Sequence, residues 1–484
     1  MRLRAYILAA VMQTAIHDGI HAQQIPGNSV LSQGTGEEKN FIDQSNSAPF
    51  IIRNIIIEGN KKTKASIILR EVPFKPGDKF QLQQLVSKFE DARKQLMNTA
   101  LFHEVTVALK SFEGYNVDIL VEVKERWYIF PVPYFKMVDR NLNQWLVQHK
   151  ASLDRVNYGA KLMYNNFTGH NDKLNVWLMS GYTRQVSLSY DRFYFDRQMK
   201  WGAKIGLALG KNREVNYNTI NNKEVFLKDT NNFIRSFFRS NFELSYRPAI
   251  KTRHRFGIGY TEERVHDTIM ELNPAYFPAG HNRIRYPEVY YYMTYYDVDY
   301  NPYPLKGFEA QININKKGFN HIVNVWELNF RTGNYWEVAR KTYFSLHTMG
   351  SLKLPFKQPF FTSRLLGYGD MFMQGYEYYV VDGVAGGFVQ TTLSRELFNF
   401  HLSTPHTKKQ NSSGIPFRIY GKIYGNTGYV YNPQPGQNGL ANRMLFSGGA
   451  GVDILTFYDL NIRLEWSFNQ LGQNAIYLHK KTYF

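Results

Sequence analysis

Residues 462–469 read IRLEWSFN, and the alternation within them decides the fold. In an extended chain Ile462, Leu464, Trp466 and Phe468 face one side and Arg463, Glu465, Ser467 and Asn469 the other, because a strand repeats every second residue. Phe308, Ala310, Ile312 and Ile314 alternate in the same way with Glu309, Gln311, Asn313 and Asn315. One face suits lipid and the other a water-filled lumen. A soluble two-sheet sandwich would also alternate, but its strands come roughly every 8 to 12 residues, and here the repeat is longer.

The period of two holds from Trp127 to the end of the chain. Strand centres fall near Pro133, Lys161, Val176, Leu188, Ile205, Phe242, Ile258, Tyr292, Ile312, Leu328, His347, Thr391, Tyr420, Gly449, Leu464 and Leu478, which makes sixteen. The long connections at 212–235, 267–285, 355–386 and 432–445 all follow odd-numbered strands, as loops on one side of a membrane should. Residues 400–416 break that rule as a long connection after an even strand. The fold class expected is therefore membrane all-β: a sixteen-stranded antiparallel transmembrane β-barrel over 127–484.

Composition agrees. Among 484 residues, 34 Tyr and 35 Phe bring the aromatic fraction to 16%, yet the mean hydropathy is only -0.41. Apolar residues are dispersed among polar ones. After the N-terminus no run of 18 apolar residues offers a transmembrane helix. The net charge of +18 is spread along strands and loops with no nucleic-acid module, so anionic lipid head groups at the barrel rims account for it better than nucleic acid. Without cysteine there is no disulfide, no Cys-based metal site and no lipoprotein anchor.

The chain begins MRLR, AYILAAVMQTAI, IHA, a basic start and a short apolar core that predict a signal peptide over 1–22. Residues 23–48, rich in Gly, Ser, Asn and Gln, read as a flexible linker. Between 49 and 126 the pattern is α+β. Ile51–Glu58 is a strand closed by Gly59-Asn60, and Thr63 stands where it could cap a short helix over Ala65–Glu71. Leu82, Leu85, Val86, Phe89, Ala92, Leu96 and Ala100 mark one face of a second helix, and His103–Leu109 and Asn116–Val123 form a hairpin turned by Glu113-Gly114.

This β-α-α-β-β order, with GN after the first strand and TALF-x-x-V-x-V leaving the second helix, resembles a POTRA domain. The resemblance implies that the strand carrying Val105, Val107 and Leu109 is a sheet edge able to add an incoming client chain by β-augmentation.

One POTRA ahead of sixteen strands is similar to the BamA/TamA family of outer-membrane assembly proteins, with IRLEWSFNQLG and the terminal Phe484 resembling the closing strands of Bacteroidota-type members. The resemblance identifies the stretch Arg364–Gly383, RLLGYGDMFMQGYEYYVVDG, as the loop between the eleventh and twelfth strands that folds into the lumen and ends in an Arg-Gly-aromatic tip. Here the tip is Gln374, Gly375 and Tyr376, with Gly383 at the loop's exit. Strand parity points Gln390, Thr392, Ser394 and Glu396 inward on the twelfth strand and Arg418, Tyr420, Lys422, Tyr424 and Asn426 on the thirteenth. In IYGNTG the family's Asp is replaced by Asn426, and Ser394 stands where the twelfth-strand acid would be, with Glu396 two residues on. Ser394, Glu396 and Asn426 are thus the expected docking wall, and Gln374 with Asn426 an amide pair in place of the family's ion pairs.

Pro131 and Pro133 lie two apart, so both missing N–H groups fall on one edge of the first strand. That edge, with Phe484 in the last strand, is the expected seam of the barrel, weakly bonded between 128–136 and 475–484. The implied function is insertion of outer-membrane proteins or translocation of client polypeptides, with a passive pore or a dedicated secretion transporter as the alternative. The implied partners are outer-membrane lipid, unfolded or nascent clients and accessory periplasmic or outer-membrane proteins, with the N-terminal domain in the periplasm. No nucleotide loop, hydrolase motif, metal cluster or cofactor motif occurs in the sequence, so no enzyme activity is expected.

Overall fold

The computed structural model describes residues 48–137, 146, 150, 156–181, 183–192, 194–196, 198–229, 232–402, 415–456 and 459–481. All described residues but Ala48 belong to one compact unit, 49–484. The expected signal peptide, nearly all of the linker, Phe484 and most of the 400–416 connection lie outside the described residues.

The N-terminal domain has four strands: β1 (Phe50–Glu58), β2 (Lys79–Phe80), β3 (Phe102–Glu113) and β4 (Asn116–Glu125), in the order β2-β1-β4-β3. Strand β4 runs parallel to β1 and antiparallel to β3. Helices α1 (Ala65–Glu71) and α2 (Leu82–Asn98) cover one face. Helix α2 starts at a capping box made by Gln81 and Gln84, and its apolar stripe puts Leu85, Ala92 and Leu96 onto Val117, Ile119 and Val121, all of them buried. The short β2 carries too few residues for a period to show and was not expected. Thr63 does not cap α1. The N-cap position is Lys64, without a side-chain bond, and the Thr63 hydroxyl is instead engaged by Tyr128 at 3.0 Å and Asn166 at 2.9 Å, where the domain meets the large sheet.

After β4 the chain forms β5 (Ile129–Met137), β6 (Val156–Asn165), β7 (Lys173–Gly181), β8 (Thr183–Arg192), β9 (Trp201–Asn212), the hairpin β10 (Glu214–Ile220) and β11 (Lys223–Lys228), β12 (Arg235–Tyr246), β13 (Thr252–Val265), helix α3 (Asp267–Leu272), β14 (Arg283–Val298), β15 (Gly307–Lys317), β16 (Val325–Ala339) and β17 (Thr342–Leu354). A helical turn α4 (Phe360–Ser363) and the small hairpin β18 (Arg364–Leu366) and β19 (Val381–Asp382) precede β20 (Ala385–Leu402), β21 (Ile415–Tyr431), β22 (Met444–Leu455), β23 (Asn461–Asn469) and β24 (Asn474–Lys481). Leaving out the two hairpins, the remainder form one sixteen-stranded antiparallel sheet running from β5 to β24. Each of the sixteen expected centres lies in a different one of these strands. Strands β5 and β24 are the two ends of the sheet and share no ladder among the described residues.

Burial in this sheet is inverted relative to a soluble protein. Leu464, Trp466 and Phe468 are 50%, 50% and 49% exposed, whereas Glu465 and Ser467 between them are each 1% exposed. Contiguous exposed apolar surface of this kind requires an apolar surrounding, and a strand wall with polar residues inside meets that requirement in lipid.

The N-terminal domain rests on turns at one end of the sheet. Lys64 N–H donates to the Gly169 carbonyl at 3.0 Å after β6, and Arg70 to the Met199 carbonyl at 3.1 Å after β8. Glu71 accepts from Arg247 Nη2 at 2.7 Å after β12, Asn98 accepts from Asn301 N–H at 3.1 Å after β14, and Arg126 pairs with Asp459 at 2.7 Å after β22. All five are connections that follow even-numbered strands. The long connections gather at the opposite end, where Val215, Ile269, Tyr276, Phe277 and Val323 form an apolar cluster with Phe360 and Phe361.

Candidate functional site: the clamped loop

The connection between β17 and β20 packs against the sheet, and its own apolar residues explain why. Leu365, Leu366, Met373, Tyr376 and Val381 are buried against Phe388, Val430 and Leu445 on β20, β21 and β22. At the tip Gly375 has φ +88°, and a Cβ there would lie 2.8 Å from Ser447 Cβ. Both the left-handed backbone and the close approach call for glycine. Gly383, at the exit, lies against β21 so closely that a Cβ would be 2.6 Å from the Tyr431 carbonyl oxygen, and its N–H donates to Ser363 at 2.7 Å.

The tip is held by polar contacts from the last strands. Gln374 Nε2 donates to Glu465 Oε1 on β23 at 2.6 Å, and the Gln374 carbonyl accepts from Ser447 Oγ at 2.5 Å and Asn426 Nδ2 at 3.4 Å. The Gly375 carbonyl accepts from Asn469 Nδ2 at 2.7 Å, and Tyr376 Oη donates to the Phe446 carbonyl at 3.2 Å. Phe372 packs on His479 of β24 with ring centres 5.2 Å apart.

Behind the tip lies a buried charge network. Lys422 Nζ is 2.5 Å from Asp453 Oδ1 and 2.5 Å from Glu465 Oε1, with all three side chains at most 5% exposed. Tyr303 donates to Asp453 at 3.0 Å, and His479 Nε2 lies 3.3 Å from Glu465 and 3.5 Å from Glu377, whose carboxylate accepts from Gly375 N–H at 3.1 Å. Arg463 stands opposite Asp453 in the β22–β23 ladder. Burying carboxylates without partners would cost several kcal/mol each, and Lys422 offsets that cost for two of them at once.

The expected docking wall is therefore only partly met. Asn426 reaches the tip through the Gln374 backbone, so the side-chain amide pair does not form. Ser394 sits opposite Lys422 in the β20–β21 ladder with its hydroxyl 3.5 Å from the Tyr343 carbonyl. Glu396 is farther toward the N-terminal domain and pairs with Lys341 at 2.9 Å. On β20, besides the apolar contact of Phe388, Gln390 hydrogen-bonds the loop, donating to the Phe372 carbonyl at 3.5 Å. The grip is not charge-free either: Gln374 bonds a carboxylate, and the balancing cation belongs to the wall. Glu465 faces inward in the alternation of residues 462–469, which was the available signal, but no periodicity says that a loop after β17 will reach β23.

The other expected sites lie apart from the clamp. Val105 and Val107 on β3 turn their side chains into the N-terminal core while Leu109 is 42% exposed, so that edge offers backbone. Pro131 and Pro133 pair with Leu162 and Ala160 on β6 within the end strand β5.

Comparison with known proteins fits this architecture. The POTRA family model, described as a surface antigen variable number repeat, matches residues 50–126. Over 75 residues, 16% of this chain, the sequence is 37% identical to the outer membrane protein assembly factor BamA of Neorickettsia risticii (strain Illinois). Over 76 residues, also 16% of the chain, it is 38% identical to a putative outer membrane protein assembly factor of Treponema pallidum (strain Nichols). These matches span 10% and 9% of those relatives. Among solved structures, BamA from Haemophilus ducreyi lacking POTRA domains 1–3 aligns over 90% of this chain and 85% of that one, with 15% identity and a TM-score of 0.49. The N-terminal domain is a POTRA domain, here followed by a sixteen-stranded antiparallel β-sheet of membrane type. In its POTRA region the chain is similar to BamA-type outer membrane protein assembly factors.

Proposed function

We propose that this protein inserts or translocates client polypeptides at the outer membrane, with its POTRA domain in the periplasm. The observation that carries the reading is the open sheet order, in which β5 and β24 share no ladder among the described residues. An unladdered pair of end strands in a lipid-facing wall is a place where an incoming strand can be templated or released. The β3 edge of the POTRA domain, which among the described residues pairs only with β4, receives the client in extended form. The inner loop holds the end strands in shape through Gln374 and Gly375. Energy comes from client folding and burial.

Depleting the protein and comparing the outer-membrane proteome tests this. Broad loss of barrel proteins supports assembly and loss of one exported protein supports dedicated secretion. An unchanged proteome refutes both and leaves a passive pore.

A further inference from the structure

At the end of the sheet away from the POTRA domain, the outward face carries a row of positive charge. Ladder registers set Arg184 of β8 opposite Lys211 of β9, Lys211 opposite Ser236 of β12, Ser236 opposite Arg264 of β13, and Arg264 opposite Arg283 of β14. Strands lie about 4.8 Å apart, so these cations occupy roughly 19 Å of the rim. On β8 and β9 the cation directly caps an apolar column. On β9, Ile205, Leu207 and Leu209 are 50%, 42% and 52% exposed, and Lys211 is the next residue on that face.

Like charges directly opposite one another destabilise a ladder, yet Arg184 faces Lys211 and Arg264 faces Arg283. Neighbouring carboxylates neutralise the row only at Arg283. Glu262 accepts from Arg283 Nε at 2.9 Å and lies 3.4 Å from Arg285. In the adjoining connections Asp229 accepts from Asn232 at 2.8 Å and Asp267 from Asn282 at 2.5 Å. Among the described residues no carboxylate lies within ion-pair distance of Arg184, Lys211 or Arg264. The guanidiniums of Arg184 and Arg213 lie 5.0 Å and 5.1 Å from the centre of the Phe233 ring.

We propose that this row binds the phosphate groups of membrane lipids in the leaflet distal to the POTRA domain. The proposal rests on the membrane reading above. Guanidinium groups pair with phosphate oxygens through paired N–H donors, and a head group held there lays its acyl chains along Leu209, Phe238 and Ile258, which are 52%, 38% and 59% exposed. Free phosphate would leave that apolar surface uncovered.

The test uses the full chain reconstituted in phosphatidylcholine nanodiscs, with phosphatidic acid as the probe lipid. Replacing Arg184, Lys211, Arg264 and Arg283 together by Gln should weaken phosphatidic acid binding at least tenfold and flatten its salt dependence, since each cation at an anionic surface contributes about fivefold. A control with Lys79, Lys88, Arg93 and Lys94 of the POTRA domain changed to Gln alters the net charge equally and should bind as the parent does. If the fourfold variant fails to insert, Lys211→Gln with Arg264→Gln serves, with a loss of fivefold or more expected. Unchanged binding in the rim variant, an equal loss in the control, or full displacement of the lipid by an equal concentration of inorganic phosphate would overturn the proposal. Failure of the parent chain to insert into phosphatidylcholine at all would refute the membrane reading and the proposal with it, whereas insertion without head-group discrimination refutes this site alone.

Discussion

Glu465 Oε1 receives the Gln374 amide at 2.6 Å and the Lys422 ammonium at 2.5 Å on a single oxygen. The inner loop is therefore fastened to a carboxylate whose charge is balanced from the sheet rather than from the loop. Removing the cation should cost more than removing the amide. Lys422→Met leaves Asp453 and Glu465 buried without it, at about 3 to 5 kcal/mol. Gln374→Ala deletes one hydrogen bond to a charged group, about 1.5 to 3 kcal/mol. The midpoint of heat-induced mobility shift on electrophoresis should fall in that order, and an equal or reversed order would show that Lys422 is not the balancing charge.

Gly375 offers a way to expel the tip without touching any charge. Gly375→Val puts a branched side chain at φ +88° and within contact of Ser447, adding at least about 1 to 2 kcal/mol of backbone strain to the overlap. Limited proteolysis should then cut between Arg364 and Gly383, a stretch protected in the parent. Continued protection would mean that the tip tolerates a shifted backbone.

Glu71 anchors the POTRA domain to the sheet. Its carboxylate is 2% exposed and takes hydrogen bonds from Arg247 and, at 3.3 Å, from Tyr194. Glu71→Ala leaves the Arg247 guanidinium largely buried without its carboxylate, a cost of about 3 to 5 kcal/mol. Hydrogen exchange should rise in α1 and in the turn around Arg247 while β13 to β17 stay protected. A uniform rise across the sheet would instead mean that the variant destabilises the barrel as a whole.

Inside the POTRA domain, the side-chain hydrogen bond from Arg53 holds the Asp118 carboxyl well below the usual carboxylate range, with Ser111 and Asn54 adding to it. A carboxyl depressed on folding stabilises the native state above its unfolded pKa of about 3.9, and that stabilisation is lost as the pH falls through the native value. Asp118→Asn should therefore speed exchange in β1 and β4 at neutral pH, with the gap from the parent closing only in strong acid. A gap that stayed constant down to the lowest accessible pH would rule out the ion pair as its source.

The sixteen strands were legible because period-two alternation is a local property that the strands of the large sheet carry. Hairpin β10–β11 was hidden inside what read as a long connection, since the alternation of Val215 and Tyr217 with Glu214, Asn216 and Asn218 is short and Lys223–Lys228 carries none across Val225, Phe226 and Leu227. The loop tip was found by resemblance and its glycine by sequence. Its partner was not, because curvature of the sheet decides that Gln374 meets a residue ninety-one positions on. Thr63 shows the same limit at smaller scale: a residue suited to capping was drawn to Tyr128 and Asn166 by the docking of two parts of the chain.

The loop that carries Gln374 is also tied at its far shoulder. Val380 N–H donates to the Asn222 carbonyl at 2.9 Å, Asn222 Nδ2 returns a bond to the Val380 carbonyl at 3.2 Å, and Asn222 Oδ1 accepts from Leu440 N–H at 3.0 Å. One segment thus joins the β10–β11 turn, the β21–β22 connection and the final strands into a single mechanical linkage. A strand swinging out at the β24 margin would tug on the surface that faces away from the POTRA domain, and anything gripping that surface would have a handle on the margin.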